Sequence, residues 1–159
     1  MYKGAVSVCR GSNEMSAPEH REIACAIIIG TCRRFLLHQR DDVPGILCPG
    51  MVGLFGGHRE GNETFLQCVV REVHEEISYF VAPERFEHLV SYSGVDADAG
   101  GGTLRGEFFI ARDVPREAML VTEGSLLIAE RDDVLPLMRR LVPSAQFAIS
   151  TFFKNQWHI

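Results

Sequence analysis

The sequence predicts an α/β fold, a mixed β-sheet held between helices, and three observations carry that prediction. Leu66, Val69, Val70, Val73 and Ile77 recur at three- and four-residue steps, the stripe of an amphipathic helix packed on a core. Short runs rich in branched and aromatic residues lie on both sides of that helix, with the length and composition of strands. A second helical region closes the chain. Strands and helices interleaved in this way bury their apolar faces by layering, with the sheet in the middle.

In chain order, residues 1–22 are polar and turn-rich after a short strand-like run at 5–9, and read as an N-terminal arm or edge strand. Residues 23–159 form the domain. Residues 23–30 and 34–40 are two apolar runs around a short turn, a hairpin whose second strand ends in His38, Gln39 and Arg40. Residues 41–50, with two prolines and two glycines, are a loop, and 51–55 a short strand that delivers the chain into a glycine turn. Asn62 caps the amphipathic helix. Residues 83–86 form a helical turn and 88–92 a strand; 94–102, with three consecutive glycines, are a flexible hairpin connection without a packing signal. Residues 104–111 alternate as a strand carrying Glu107. Thr122, Glu123 and Gly124 turn the chain into a strand at 125–129. Residues 131–141 have helical spacing, but Pro136 confines that helix to a first turn or kinks it. A helix over 144–153 ends the domain.

Size and charge narrow the function. At 159 residues and 46% hydrophobic, the chain has material for one domain with a proper core. The apolar run at 23–30 is too short to span a bilayer and lacks the flanks of a signal peptide, so the expectation is a soluble, cytoplasmic protein with no membrane partner. Five cysteines, none in a Cys-Xaa-Xaa-Cys pair, fit neither a disulfide framework nor a structural zinc site. A net charge of −5 and the lack of a basic run give no footprint for a nucleic-acid polymer.

The chemistry concentrates behind the glycine turn. Glu72 lies one helical turn from both Glu75 and Glu76, so three carboxylates project together near a helix C-terminus, where anions are disfavoured and like pairs each cost about 0.2–0.5 kcal/mol. Arg71, one turn from Glu75, offsets part of that repulsion. Taken alone, the cluster fits either a solvated acidic face or a site for a hard divalent cation with oxygen ligands. The wider pattern decides between them. Gly57, five residues, Glu63, seven residues, then Arg71, Glu72, Glu75 and Glu76 in their fixed spacing resembles the Nudix box of the Nudix hydrolases over residues 57–79. One position departs: Ser78 stands where that family has a glycine, at the helix exit and beyond the ligands.

The resemblance implies a Nudix-like α/β/α sandwich whose box is a loop–helix–loop. It also implies a Mg²⁺-dependent pyrophosphohydrolase, with Mn²⁺ a substitute, acting on a nucleoside diphosphate linked to another moiety: a nucleoside triphosphate, ADP-ribose or a sugar nucleotide. By the same resemblance Glu72, Glu75 and Glu76 are metal ligands, with the backbone carbonyl of Gly56 or Gly57 as an additional oxygen, and these glycines line the substrate. Glu63 and Arg71 brace the loop and orient the catalytic glutamates. Glu60 is a loop acid that meets metal or solvent. Glu123 resembles a glutamate used as metal ligand or general base, Glu107 being a weaker candidate, and Arg40 matches a basic position facing substrate phosphate. Pro143 to Gln146, where the enzyme that sanitises 8-oxo-dGTP keeps a base-reading asparagine, contains none, which disfavours that substrate. His38, His58 and His74 are not called for by the pattern, and no serine or cysteine nucleophile has a partner constellation. A catalytically silent nucleotide-binding sensor is the alternative function, an isopentenyl-type isomerase a further one, and a homodimer fits the family habit.

Overall fold

Strand β1 (His20–Gly30) is the spine of the sheet in the computed structural model, which describes residues 19–155. Successive strand residues point to opposite faces. Ile23, Ile27 and Ile29 accordingly enter one hydrophobic cluster, and Ala24, Ala26 and Ile28 the other. β1 pairs in parallel with β6 (Thr103–Val114) and antiparallel with β2 (Phe35–Gln39) and β4 (Phe55–His58). β2 also pairs with β3 (Val52–Gly53) and β7 (Ser125–Ala129), and β6 with β5 (Phe86–Val95), which makes one mixed sheet.

Helix α1 (Phe65–Ile77) lays Cys68, Val69, Val73 and Ile77 on the face carrying Ala24 and Ala26, whose small side chains let the helix approach closely. Helices α2 (Arg131–Leu137) and α3 (Pro143–Lys154) cover the opposite face through Val134, Ala145, Ala148, Ile149 and Phe152, against the isoleucines of β1 and Phe35 of β2. The predicted mixed α/β architecture, with helices on both faces of the sheet, is the one observed. The strand-like run at residues 5–9 lies outside the described residues.

Several boundaries and caps differ from the sequence reading. The N-cap of α1 is Thr64, not Asn62: Gln67 N–H donates to Thr64 Oγ1 at 3.1 Å and Thr64 N–H to Gln67 Oε1 at 2.7 Å, a reciprocal pair that satisfies two otherwise orphaned donors. Leu66, expected in the core stripe, is 36% exposed, while Cys68 is fully buried, because the loop carrying Gly57 packs on that side of the helix. β5 and β6 run longer than expected at both ends. Pro136 sits inside α2, which gives way after Leu137 to a 3₁₀ turn (Met138–Arg140), as the missing proline N–H dictates. The hairpin between β5 and β6 corrects the expectation of an unpacked connection. Asp96 is fully buried and bonded to Arg21 at 2.7 Å, and Asp98 accepts from Ser144 N–H at 2.9 Å and Ser144 Oγ–H at 2.5 Å. Asp98 thereby caps α3, whose own N-cap residue, Val142, has no side chain able to do so.

Candidate active site

The loop from β4 into α1 is shaped by two glycines. Gly56 has φ +140°, and a Cβ there would lie 2.2 Å from the Ala24 carbonyl oxygen. At Gly57 a Cβ would meet the Glu72 carboxylate at 2.5–2.8 Å. At Gly56 only glycine lets the backbone come this close to β1, while at Gly57 a side chain would have to push the Glu72 carboxylate aside. The loop is then pinned by Arg71, whose Nε and Nη2 fork onto Glu63 at 3.1 and 2.7 Å, while Nη2 also donates to the His58 carbonyl at 2.9 Å. Nη1 reaches Glu72 at 2.9 Å and Glu75 at 3.4 Å. The guanidinium holds the Glu63 carboxyl down at about 2, well below the usual range.

A cavity of about 320 Å³ opens beside that loop, lined by Arg40, Gly56, Gly57, Glu72, Glu76 and Glu123 among others. Glu76 is a carboxyl whose charge this cavity disfavours. Gly56 N–H donates to Oε2 at 2.7 Å, yet burial pushes the carboxyl up to about 7, with the charges of Glu72 and Glu123 adding to the effect. Burial also raises Glu72 in spite of Arg71. The Glu123 turn is delivered from 47 positions further along the chain by hydrogen bonds onto the helix end: Thr122 Oγ1–H donates to the Glu75 carbonyl at 3.2 Å and Thr122 N–H to the Glu76 carbonyl at 3.0 Å. Opposite, Arg40 Nε is buried with no hydrogen-bond partner among the described residues, a donor left for an anion.

The structure brings Glu72, Glu76, Glu123, Arg40, Gly56 and Gly57 around one space. It does not bring Glu75 into the cavity wall: that side chain is 57% exposed and leans on Arg71. Glu107 is elsewhere, paired with His88 and Ser91 at 2.7 and 2.5 Å. Among the described residues no three His, Cys, Asp or Glu side chains are gathered into a ready-made metal cage. The donor set nevertheless fits a hard divalent cation. It is made of carboxylate oxygens, and Glu76 has no share in Arg71, which is committed to Glu63, Glu72 and Glu75. Sequence reasoning set His38 aside, yet it is buried in the cavity wall, stacked 5.0 Å from Phe55, with Nδ1 3.8 Å from Glu76 Oε1. Burial lowers its pKa. The signal that could have found it is period two: His38 and Arg40 occupy the same face of one strand end.

Comparison with known proteins agrees with this geometry. No curated protein matches the sequence. Among solved structures, the MutT protein from Methanosarcina mazei Go1 superposes with a TM-score of 0.71 at 17% identity, covering 90% of this chain and 99% of that one. The E. coli ORF135 protein gives 0.67 at 18% identity over 91% and 96%. The NUDIX domain of Shewanella oneidensis NrtR, solved with ADP ribose, gives 0.68 at 20% identity over 87% and 89%. At such identities these likenesses speak for the fold. The family model of the NUDIX domain matches residues 19–141, and the chain belongs to the NUDIX domain family.

Proposed function

We propose that this protein is a Mg²⁺-dependent pyrophosphohydrolase that cleaves the diphosphate linkage of a nucleoside diphosphate joined to another moiety, such as a nucleoside triphosphate, ADP-ribose or a sugar nucleotide. The observation that carries the reading is the shared cavity, lined by the half-buried Glu76 and Glu72 together with Arg40, whose Nε is unpartnered among the described residues, an anion-binding donor beside a cation-binding pair. A volume of about 320 Å³ is of the size that holds a small ligand. When bound, magnesium, or manganese in its place, supplies positive charge that lowers the pKa of water and stabilises the charge developing on the phosphoryl oxygens.

Glu72, Glu75 and Glu76, with the Gly56 carbonyl, would hold the ion; the exposed Glu75 side chain has rotamer freedom to swing in once its repulsion with Glu72 is relieved. Arg40 anchors a substrate phosphate through its free Nε. Glu123 accepts the proton of the attacking water as the water oxygen bonds to phosphorus, and the bridging oxygen leaves with its electron pair on a monophosphate product. Arg71 touches no reacting atom in this scheme and positions Glu72 against the loop. The protein acts as a soluble cytoplasmic chain on free nucleotides, and a homodimer is compatible with it.

The test is turnover of a panel of nucleoside triphosphates, ADP-ribose, sugar nucleotides and dinucleoside polyphosphates with magnesium. Phosphate-containing products should form with wild type and fall about a hundredfold or more with Glu76→Gln, the scale of losing a group that holds the catalytic charge. Tight nucleotide binding with no product from any class would replace this reading with that of a sensor.

A further inference from the structure

We infer that His38 is a positioning residue for Glu123, fixing the turn from which that carboxylate reaches the cavity. The inference rests on the role proposed for Glu123. His38 Nε2 lies 2.9 Å from the Glu123 carbonyl oxygen. A carbonyl can only accept, so Nε2 carries the proton and donates. The ring cannot tilt away: it is 6% exposed and stacked at an interplanar angle of 12° on Phe55, the residue that leads directly into Gly56.

The turn is built to meet the ring. A Cβ on Gly124 would lie 2.7 Å from His38 Nε2 and 2.3 Å from the Gln39 carbonyl oxygen, and φ there is +64°, so glycine alone lets the turn settle onto the strand end. Besides the backbone bond of Thr122 N–H to the Glu76 carbonyl and the strand pairing that starts at Ser125, the turn is anchored by Thr122 Oγ1 on the α1 carbonyls and by Gly124 N–H on Asp41 Oδ2 at 3.2 Å, and both of those side-chain bonds are exposed. Exposed bonds exchange readily with water; the part-buried one to His38 fixes the Glu123 carbonyl itself, just before the pairing of Ser125 with Gln39 begins the β7–β2 ladder. One imidazole thus joins three parts of the site: the glycine loop through Phe55, the Glu123 turn through its carbonyl, and Glu76 through the facing Nδ1 edge.

His38→Leu removes the donor, and His38→Gln restores an N–H near the Nε2 position. Two readouts are taken on each. In ligand-free protein, amide exchange at residues 122–124 should rise about tenfold in the Leu variant and stay near wild type in Gln, since a lost shielded bond frees a local opening. With the best substrate of the panel and magnesium, kcat should drop about a hundredfold for Leu with KM held within about threefold, and Gln should recover most of the loss, as expected when a base is displaced and binding is kept. Unchanged exchange in Leu, unchanged kcat, or equal impairment of Leu and Gln would each overturn the inference. Should Leu fail to fold, His38→Asn, whose shorter amide cannot reach the carbonyl, is measured in its place with the same expectations. If Glu123→Gln leaves kcat intact while exchange still rises in the His38 variant, it is the role given to Glu123 that fails.

Discussion

At the scale of the residue, the decisive quantity is the charge on Glu76. Its carboxyl is pushed up to about 7 in the fold against an ordinary 4.5. Folded protein therefore holds a proton there that unfolded chain releases across that interval, and ligand-free stability falls as pH rises from about 4.5 to about 7. The full effect is on the order of 1–3 kcal/mol, lost by pH 8. Glu76→Gln keeps the acceptor for Gly56 N–H and removes the charge, so its denaturation midpoint should exceed that of wild type at pH 8 and coincide with it near pH 4. Chemical denaturation of both proteins at the two pH values, without added metal, measures this directly. A variant no more stable than wild type at pH 8 would mean that the buried charge is already compensated.

At the scale of the element, α1 shows how a local departure is absorbed. Ser78, in the place of the family's glycine, takes the left-handed conformation that glycine would take, φ 51° and ψ 27°, and its N–H donates to the His74 carbonyl at 2.9 Å. The helix exit is preserved at the expense of about 1 kcal/mol of backbone strain. Leu120 N–H then caps the Ile77 carbonyl at 2.8 Å, and the neighbouring bonds of Thr122 bring the Glu123 turn to the same helix end. Ser78→Gly should stabilise the protein by about 0.5 kcal/mol, strain relief partly offset by the greater freedom of glycine in the unfolded chain. Equilibrium urea unfolding reads it, and turnover should be unaltered.

At the scale of the whole molecule, the β5–β6 hairpin holds two residues of the cavity wall, Arg21 and Ser144. Arg21 on β1 joins buried Asp96, and Asp98 caps α3 from 46 residues away. Both aspartates are buried, so their carboxylates are held by partners and not by water. Asp98→Ala should destabilise by about 2 kcal/mol, the loss of a cap together with an orphaned Ser144 hydroxyl. A thermal melt would register it, and a shift no larger than that of an exposed control such as Asp132→Ala would count against the role given to Asp98.

What could be read from the chain itself is what depends on near neighbours. The period of α1, the glycines before it, the spacing that brings Glu72 and Glu76 to one side, and the halting of α2 at Pro136 are set within a turn or two of backbone, where sterics and helix geometry leave few choices. The strands were legible because branched residues alternate, and their faces followed from the pleat. Folding in three dimensions alone decided the rest. That the Glu123 turn reaches the cavity depends on contacts 46–47 residues apart, and His38 acquires its partner across 85. Asp96 and Asp98, in a stretch that reads as loop, become buried because Arg21 and the start of α3 arrive beside them. Local pattern records propensity; a buried polar group is placed by whichever distant partner satisfies it, and that is a property of the packed molecule.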